Sequence, residues 1–303
     1  MLRAARQAKT PLADAARSVA AFVRAQADPA GGFRDRSGKP DLYYTVFGLQ
    51  CLLALGEDLP AATPAYLRSF ADPHGLDFIH AACLARCWAL VRPEGAPAKT
   101  CAALAEHLRT FRAADGGYTV FAGADSGSAY GAFLALGAFQ DLGAEAPEPG
   151  ALAASVQSLR MADGGCTNDR TLPFSSTPGT AACLTVLCEL SRPNEMSSPK
   201  KRVLDPFLGE MAAWILARVA PSGGLVVTTG APMADLLSTA TGLHALWRAG
   251  ASLDEAARLA CAGFVAGLAT ESGGFRGQVS DDAADCEYTF YGLLALGHLA
   301  GGR

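Results

Sequence analysis

Residues 31–55, GGFRDRSGKPDLYYTVFGLQCLLAL, contain the pattern that decides the fold. A double glycine with an apolar residue after it opens the stretch, a short polar loop follows, and a strongly apolar segment runs from Tyr43 to Leu55. Glycine tolerates positive φ, so a glycine pair can end one helix and reverse the chain within a tight turn. The segment after the loop is apolar almost all round, which predicts a buried helix.

The same pattern recurs along the chain. The double glycine and its apolar follower appear at four further places: Gly116-Gly117-Tyr118, Gly164-Gly165-Cys166, Gly223-Gly224-Leu225 and Gly273-Gly274-Phe275. A degenerate copy has Asp72-Pro73-His74-Gly75 in place of the pair, and its apolar helix still follows, from Phe78 to Leu90. An amphipathic stretch, typical of a surface helix, precedes each copy. Six helical hairpins, alternating outer and inner helices, predict an all-α fold, a closed (α/α)6 barrel or toroid rather than an open solenoid.

The repeats share one core, so we predict a single domain over residues 1–303. The units cover approximately residues 11–56, 61–91, 97–143, 148–191, 200–250 and 252–301. The longest connection, Arg192 to Arg202, is rich in Pro, Ser and Lys and predicts an exposed excursion, not a domain boundary. Small residues inside the inner helices, such as Gly48 and Gly292, are expected to let neighbouring helices approach closely.

Composition excludes several classes of function. A net charge of −4 and a pI near 5.7 argue against nucleic acid as the partner, because binding phosphates requires a basic surface. The sequence contains no apolar run long enough to cross a membrane, and the N-terminus lacks the apolar core of a signal peptide. Most of the nine cysteines lie in apolar helical patterns. They predict buried, reduced thiols in a cytoplasmic protein.

In a barrel of this kind, the loops after the double glycines and the first turns of the inner helices meet at one rim of a central cavity. Ser, Thr and Asp residues there can simply cap the inner helices. The aromatic residues near the rim can be ordinary core, but they also suit an isoprenoid chain or a carbocation. These aromatic residues are Tyr43, Tyr44, Phe47, Phe78, Tyr130, Phe133, Tyr288 and Tyr291.

Residues 31–45 resemble the repeat shared by protein prenyltransferase β subunits and by triterpene and diterpene cyclases, and residues 285–293 are a second version of it. The resemblance covers almost the whole chain. It implies an apolar cavity for an isoprenoid or an isoprenoid diphosphate, and it raises the expectation of a protein partner at the barrel rim. Arg36 and Lys39 occupy positions like those that bind a leaving diphosphate. The isoprenoid chain would contact a group of aromatic side chains: Tyr43, Phe47, Phe78 and Tyr130.

The zinc pattern of that family is not intact in this sequence. Its ligands are an Asp and a Cys in a D-x-C arrangement and a His, but the His positions here hold Tyr44 and Tyr288, and D-x-C does not occur. A relocated zinc site would use His80, Asp285 and Cys286, with three protein ligands and one open position.

A cyclase requires a general acid, which in that family is the central Asp of a D-x-D-D motif. The motif is not present, and the closest pattern is the acidic group Asp281, Asp282 and Asp285. Crowding of like charges can keep one carboxyl of such a group protonated.

Three hypotheses therefore stand: a prenyltransferase-like protein, which we place first, a terpene cyclase-like enzyme, or a non-catalytic toroid that binds lipid or protein. Across the two catalytic hypotheses the candidate catalytic residues are Asp41, Tyr44, Asp282, Asp285 and Tyr288.

Overall fold

The structure, a computed structural model, describes residues 1–91, 96–191 and 206–301. Within these ranges it contains fourteen α-helices: α1 Leu2–Ala5, α2 Lys9–Leu12, α3 Ala15–Ala25, α4 Leu42–Leu55, α5 Thr63–Arg68, α6 Phe78–Leu90, α7 Ala98–Arg109, α8 Ala129–Asp141, α9 Pro149–Gln157, α10 Thr177–Leu190, α11 Pro206–Leu216, α12 Leu236–Ala249, α13 Glu255–Ala266 and α14 Cys286–Ala300. Short 3₁₀ turns lie at Arg6–Ala8 and Pro73–Gly75. The predicted connection Arg192 to Arg202 and the start of the fifth unit fall outside the described residues.

Two short antiparallel ribbons lie in the loops of the first and fifth units. Strand β1 (Phe33–Arg34) pairs with β2 (Pro40–Asp41). Strand β3 (Leu225–Val226) pairs with β4 (Ala234–Asp235) in the same way. Each ribbon joins the residue after a double glycine to the residue before an inner helix. It therefore fixes the position at which that helix begins relative to the glycine turn.

Six inner helices form a closed ring. In order, α4, α6, α8, α10, α12 and α14 each contact the next, and α14 returns to contact α4. The helices α3, α5, α7, α9, α11 and α13 pack outside them. The first glycine of each of the five pairs has a positive φ, as the turn requires; at Gly31 it is 106°. The predicted all-α toroid of helical hairpins is confirmed.

All six inner helices begin with a side-chain cap. The capping residues have extended backbones, and their side chains accept backbone N–H groups of the first turn; they are Asp41, Asp77, Ser128, Ser176, Asp235 and Asp285. Such a cap satisfies donors that the helix itself cannot use. Because the hairpin repeats in one direction, the six caps lie at the same end of the barrel, which we call the capped end.

Hydrogen bonds between successive units hold the capped end together. The Ala129 N–H donates to the Asn168 carbonyl at 2.7 Å, and the Leu236 N–H donates to the Gly277 carbonyl at 2.8 Å. In both, the loop of one unit reaches the inner helix of the unit before it. The loop of the first unit reaches α14 instead through the side chain of Arg36, which bonds to Asp285.

The opposite end of the barrel is covered by the start of the chain. Helix α1 and the turn Arg6–Ala8 pack on α14 and α4. A Cβ added to Gly297 would lie 1.9 Å from the Ala4 carbonyl oxygen, so this glycine is required for the contact.

None of the helices in the described ranges is long and apolar enough to cross a membrane. All nine cysteines fall in these ranges; each is a free thiol, and eight are buried.

Candidate active site

The barrel interior at the capped end contains a carboxyl among aromatic side chains. Tyr43, on the first turn of α4, donates its hydroxyl hydrogen to Glu287 Oε1 at 2.6 Å. Phe47, one turn along α4, has its ring centroid 5.0 Å from that of Tyr43 and 5.5 Å from that of Tyr291. Tyr130 of α8 lies beside Tyr43. We call these five residues the interior acid site.

Burial dominates the electrostatics of the interior acid site. Loss of solvent raises the pKa of the Glu287 carboxyl, and the Tyr43 hydroxyl only partly opposes the rise because it stabilises the carboxylate. Burial also raises the pKa values of Tyr43, Tyr130 and Tyr291. The phenols therefore stay neutral, and the carboxyl of Glu287 holds its proton to a higher pH than an exposed Glu would.

His80 lies between two helix caps. Its Nε2 is 2.9 Å from Asp41 Oδ2 and its Nδ1 is 2.8 Å from Asp77 Oδ2. The bond to Asp41, followed by the bond to Asp77, raises the pKa of His80 to about 9, although burial opposes the rise. At neutral pH the imidazole is therefore a cation held by two carboxylates, and it joins α6 to α4.

Arg36 occupies the junction between the first and sixth units. Its Nε donates to Asp285 Oδ2 at 2.8 Å and its Nη2 donates to Asp281 Oδ2 at 3.1 Å. Its guanidinium also lies over the ring of Tyr288, 5.7 Å from the centroid. Although burial opposes it, the bonds from the Ala283 N–H and then from Arg36 hold the pKa of Asp281 below its usual range.

These contacts bear on two of the predicted site groups. Arg36 is already engaged by two carboxylates, so it is not a free ligand for a diphosphate. Arg36 lies between Asp281 and Asp285, so its positive charge offsets the crowding of like charges on which the predicted proton donor depended. The third member, Asp282, is exposed on the loop.

Of the other predicted substrate-binding residues, Phe78 lies away from the barrel interior. Phe78 has no exposed surface, and its ring packs against Phe111, just beyond the end of the outer helix α7, with centroids 5.3 Å apart. It therefore belongs to the packing between α6 and α7, not to the interior surface. Lys39 is exposed in the loop before α4. Tyr44 lies at the rim, where burial raises its pKa to about 12.

The three side chains predicted to bind zinc do not form one cluster. Both ring nitrogens of His80 bond to Asp41 and Asp77, Asp285 is paired with Arg36, and Cys286 is 1% exposed. Within residues 1–91, 96–191 and 206–301, no group of three or more His, Cys, Asp or Glu side chains is arranged to hold a metal ion. The residues therefore do not fit a three-ligand centre of the predicted kind.

Sequence analysis did not select Glu287 as a candidate. The available signal was a single acidic residue four positions before Tyr291, on the same face of an otherwise apolar helix. Its partner Tyr43 is 244 positions away in the sequence. Only closure of the ring brings the two together.

The comparisons with known proteins agree with this architecture. A family profile described as the prenyltransferase alpha-alpha toroid domain matches residues 8–80 and 182–300, which is more than half of the chain. The chain belongs to the prenyltransferase alpha-alpha toroid family. No curated protein sequence matches it.

Solved structures share the fold at low sequence identity. The type II terpene cyclase MstE from Scytonema, in a complex with its substrate geranylgeranyl dihydroxybenzoate, is 12% identical with a TM-score of 0.61, over 99% of this chain and 98% of that chain. A protein from Actinoplanes is 15% identical with a TM-score of 0.64, over 95% and 98%. Candida albicans protein geranylgeranyltransferase-I, complexed with GGPP, is 14% identical with a TM-score of 0.50, over 86% and 66%.

Proposed function

We propose that the barrel interior binds an isoprenoid chain and that Glu287 protonates it to start a cyclisation. The observation that carries the proposal is the interior acid site: a half-buried carboxyl that bonds to Tyr43 and lies among aromatic side chains. Burial raises the pKa of this carboxyl, so it can hold the proton that a general acid must donate. The faces of the aromatic rings stabilise a cation that forms beside them.

The proposed reaction is an isomerisation. The Glu287 proton passes to a terminal double bond of the isoprenoid, or to the oxygen of its epoxide, and leaves a carboxylate and a carbocation. Another double bond of the same chain attacks the cation, so that a carbon–carbon bond forms. The last cation loses a proton, which returns to the Glu287 carboxylate directly or through water.

The charges at the capped end of the barrel favour a substrate without a diphosphate. At the capped end, Asp41 and Asp77 already bind His80, and Asp281 and Asp285 already bind Arg36. A diphosphate would have to compete with these carboxylates for the two cations. The Scytonema cyclase, whose substrate contains a geranylgeranyl group, supports testing a C20 chain.

The test uses an all-trans C20 isoprenoid alcohol and its terminal epoxide, with products analysed by gas chromatography and mass spectrometry. Glu287→Gln should abolish cyclisation while the alcohol still raises Tm, because the amide cannot donate the proton but fills the same space. The matched control is Glu271→Gln, which changes an exposed carboxyl in the loop before Phe275. Full turnover by the Glu287→Gln protein would refute the proposal.

Tyr43 is proposed as a positioning residue for this acid. Tyr43→Phe removes the hydroxyl that stabilises the Glu287 carboxylate, so the pKa of Glu287 should rise further. We expect kcat to fall by about tenfold with KM unchanged. The pH above which activity is lost should also rise, because the Glu287 carboxyl keeps its proton up to a higher pH. A fall in kcat without that movement would indicate a purely structural role.

Prenyl transfer with a relocated zinc ion is the competing hypothesis. The zinc content of protein purified without chelators or added metal separates the two: about one zinc ion per chain, as expected for a catalytic site, would favour transfer.

Asp282→Asn tests the acidic group in the assays of cyclisation products. We expect it to leave cyclisation unchanged if Glu287 is the acid.

A further inference from the structure

The residue after the double glycine of the third unit is a tyrosine whose hydroxyl is buried without a hydrogen-bond partner. Tyr118 has no exposed surface, and its ring centroid lies 5.9 Å from that of Phe139 on α8. Among the described residues, none accepts from or donates to its hydroxyl. Buried polar groups are normally paired, because leaving one unpaired costs free energy. The residues at the same position of the other units carry no hydroxyl: Phe33, Cys166, Leu225 and Phe275.

A second buried donor without a partner lies near this hydroxyl. It is the Nε of Arg112, which meets no acceptor in the part of the chain that the structure describes. The Nη2 of the same side chain donates to Glu148 at 2.8 Å. Burial raises the pKa of Tyr118, and the charges of Arg112 and then Arg109 oppose the rise. Both guanidinium groups are therefore close to the Tyr118 hydroxyl.

Arg109, the last residue of α7, supplies further donors. Its guanidinium lies over the ring of Phe139, 5.8 Å from the centroid, so it shares that ring with Tyr118. The side chain of Arg109 is exposed. Arg112 forms an ion pair with Glu148, whereas no carboxylate of the described ranges pairs with Arg109. Its guanidinium is therefore free to bind an anion.

A cavity of about 510 Å³ adjoins these donors. Arg109 and Arg112 line one side of it, and the loop from Gly123 to Asp125 and the residue Pro147 line the other. Asp125 is the one carboxylate of this lining, and it is exposed, so solvent and salt screen its charge. A second, mainly apolar groove of about 650 Å³ follows α7 and shares Arg109 with the cavity. Both lie on the outer side of the ring, away from the interior acid site.

We propose that Tyr118, Arg109 and Arg112 form a binding site for a phosphate group, free or as part of a small molecule, between the third and fourth units. The three side chains supply donors, and the oxygens of a phosphate accept hydrogen bonds from several directions. A guanidinium matches two of those oxygens at once. The Tyr118 hydroxyl and the Arg112 Nε are closed to solvent, so the phosphate reaches them when the exposed Arg109 side chain moves towards it.

The experiment titrates the full chain with inorganic phosphate at constant ionic strength and follows Tm and the heat of binding. We expect Tm to rise and then saturate. Arg109→Gln and Tyr118→Phe should each lower the affinity by about tenfold, because a donor to the anion is lost. Without phosphate, Tyr118→Phe should unfold at the same temperature as the parent protein or higher, since the unpaired hydroxyl is gone. The control is Lys99→Gln, which removes an exposed cation of α7 outside the cavity lining and should bind phosphate as the parent protein does.

A parallel titration with glycerol phosphate distinguishes the two sources of the phosphate group. Tighter binding than that of inorganic phosphate would support a small molecule whose remaining atoms lie in the groove along α7. Equal or weaker binding would support the free anion.

Three results would overturn the proposal. The first is a Tm that rises no more with phosphate than with chloride, which would leave an ordered water as the partner of the two buried donors. The second is an equal loss of affinity in Lys99→Gln and Arg109→Gln, which would indicate a diffuse effect of charge. The third is unchanged phosphate binding by Tyr118→Phe. The proposal does not rest on the proposed function, and Glu287→Gln should bind phosphate as the parent protein does.

Discussion

Glu287 and His80 both have pKa values above their usual range, for different physical reasons. Burial in the barrel raises the pKa of Glu287 by destabilising its carboxylate. Two neighbouring carboxylates raise the pKa of His80 by stabilising its imidazolium. The first effect suits the proton donor that we propose, whereas the second joins two helices. The type of residue alone could not distinguish these roles, because both depend on partners that lie in other units.

The raised pKa of His80 predicts a pH-dependent stability. The imidazolium stabilises the folded state fully below the ordinary His pKa of 6.5, and this contribution is lost as the pH rises through about 9. Since the side chain is partly exposed, we expect a loss of about 1 kcal/mol. The free energy of unfolding in urea, measured at about pH 6 and about pH 10, should fall more for the parent protein than for His80→Gln. Equal falls in the two proteins would contradict the proposed role of the Asp41–His80–Asp77 contact.

At the scale of the helical hairpin, glycines of the inner helices pack against the residue that follows the double glycine of the same unit. A Cβ at Gly48 would lie 2.3 Å from the Phe33 ring, and one at Gly292 would lie 2.7 Å from the Phe275 ring. We predicted that these glycines let neighbouring helices approach. The structure shows instead that they make room for a ring from the loop of their own unit. The loop and the inner helix thus form one packed element.

This packing predicts a large difference between two Gly→Ala substitutions. Gly48→Ala should destabilise the protein by about 1–3 kcal/mol, because the methyl group overlaps a fully buried ring. Gly263→Ala, on α13, meets no atom within 4 Å and should stabilise the protein by about 0.5–1 kcal/mol, since alanine is the better helix former. Urea unfolding of both variants provides the comparison. Similar effects at the two sites would show that the ring can move aside.

At the scale of the whole molecule, the first and last units close the ring through charge. Arg36 bonds to Asp281 and Asp285, and the side chain of Asp285 is only 7% exposed. Between α8 and the fourth unit, and between α12 and the sixth, backbone hydrogen bonds make the corresponding link. The link between the loop of the first unit and α14 therefore depends on the side chain of Arg36, and its loss leaves the largely buried carboxylate of Asp285 without its cation.

Arg36→Gln should lower the free energy of unfolding by about 1–3 kcal/mol, because Asp285 loses its cation while it remains buried. Since every unit of a closed ring contacts two others, we expect one cooperative transition at a lower temperature, not an early loss of one unit. Calorimetry measures both features. Lys39→Gln is the control, because it removes a cation from the same loop at an exposed position. An unchanged transition in Arg36→Gln would show that the ion pairs do not hold the junction.

The sequence by itself determined the repeat, the all-α class, the alternation of outer and inner helices and the capping residues. These features depend on interactions within one unit: the positive φ of a glycine, the bond from a cap to its own helix and the apolar surface of a single helix. The tertiary structure alone decided which acid is paired and which is buried. Arg36 binds Asp281 and Asp285, and Tyr43 binds Glu287, across more than 240 positions of sequence. A carboxyl's pKa depends on solvent access and on the nearest charges, and both are fixed only when the ring closes.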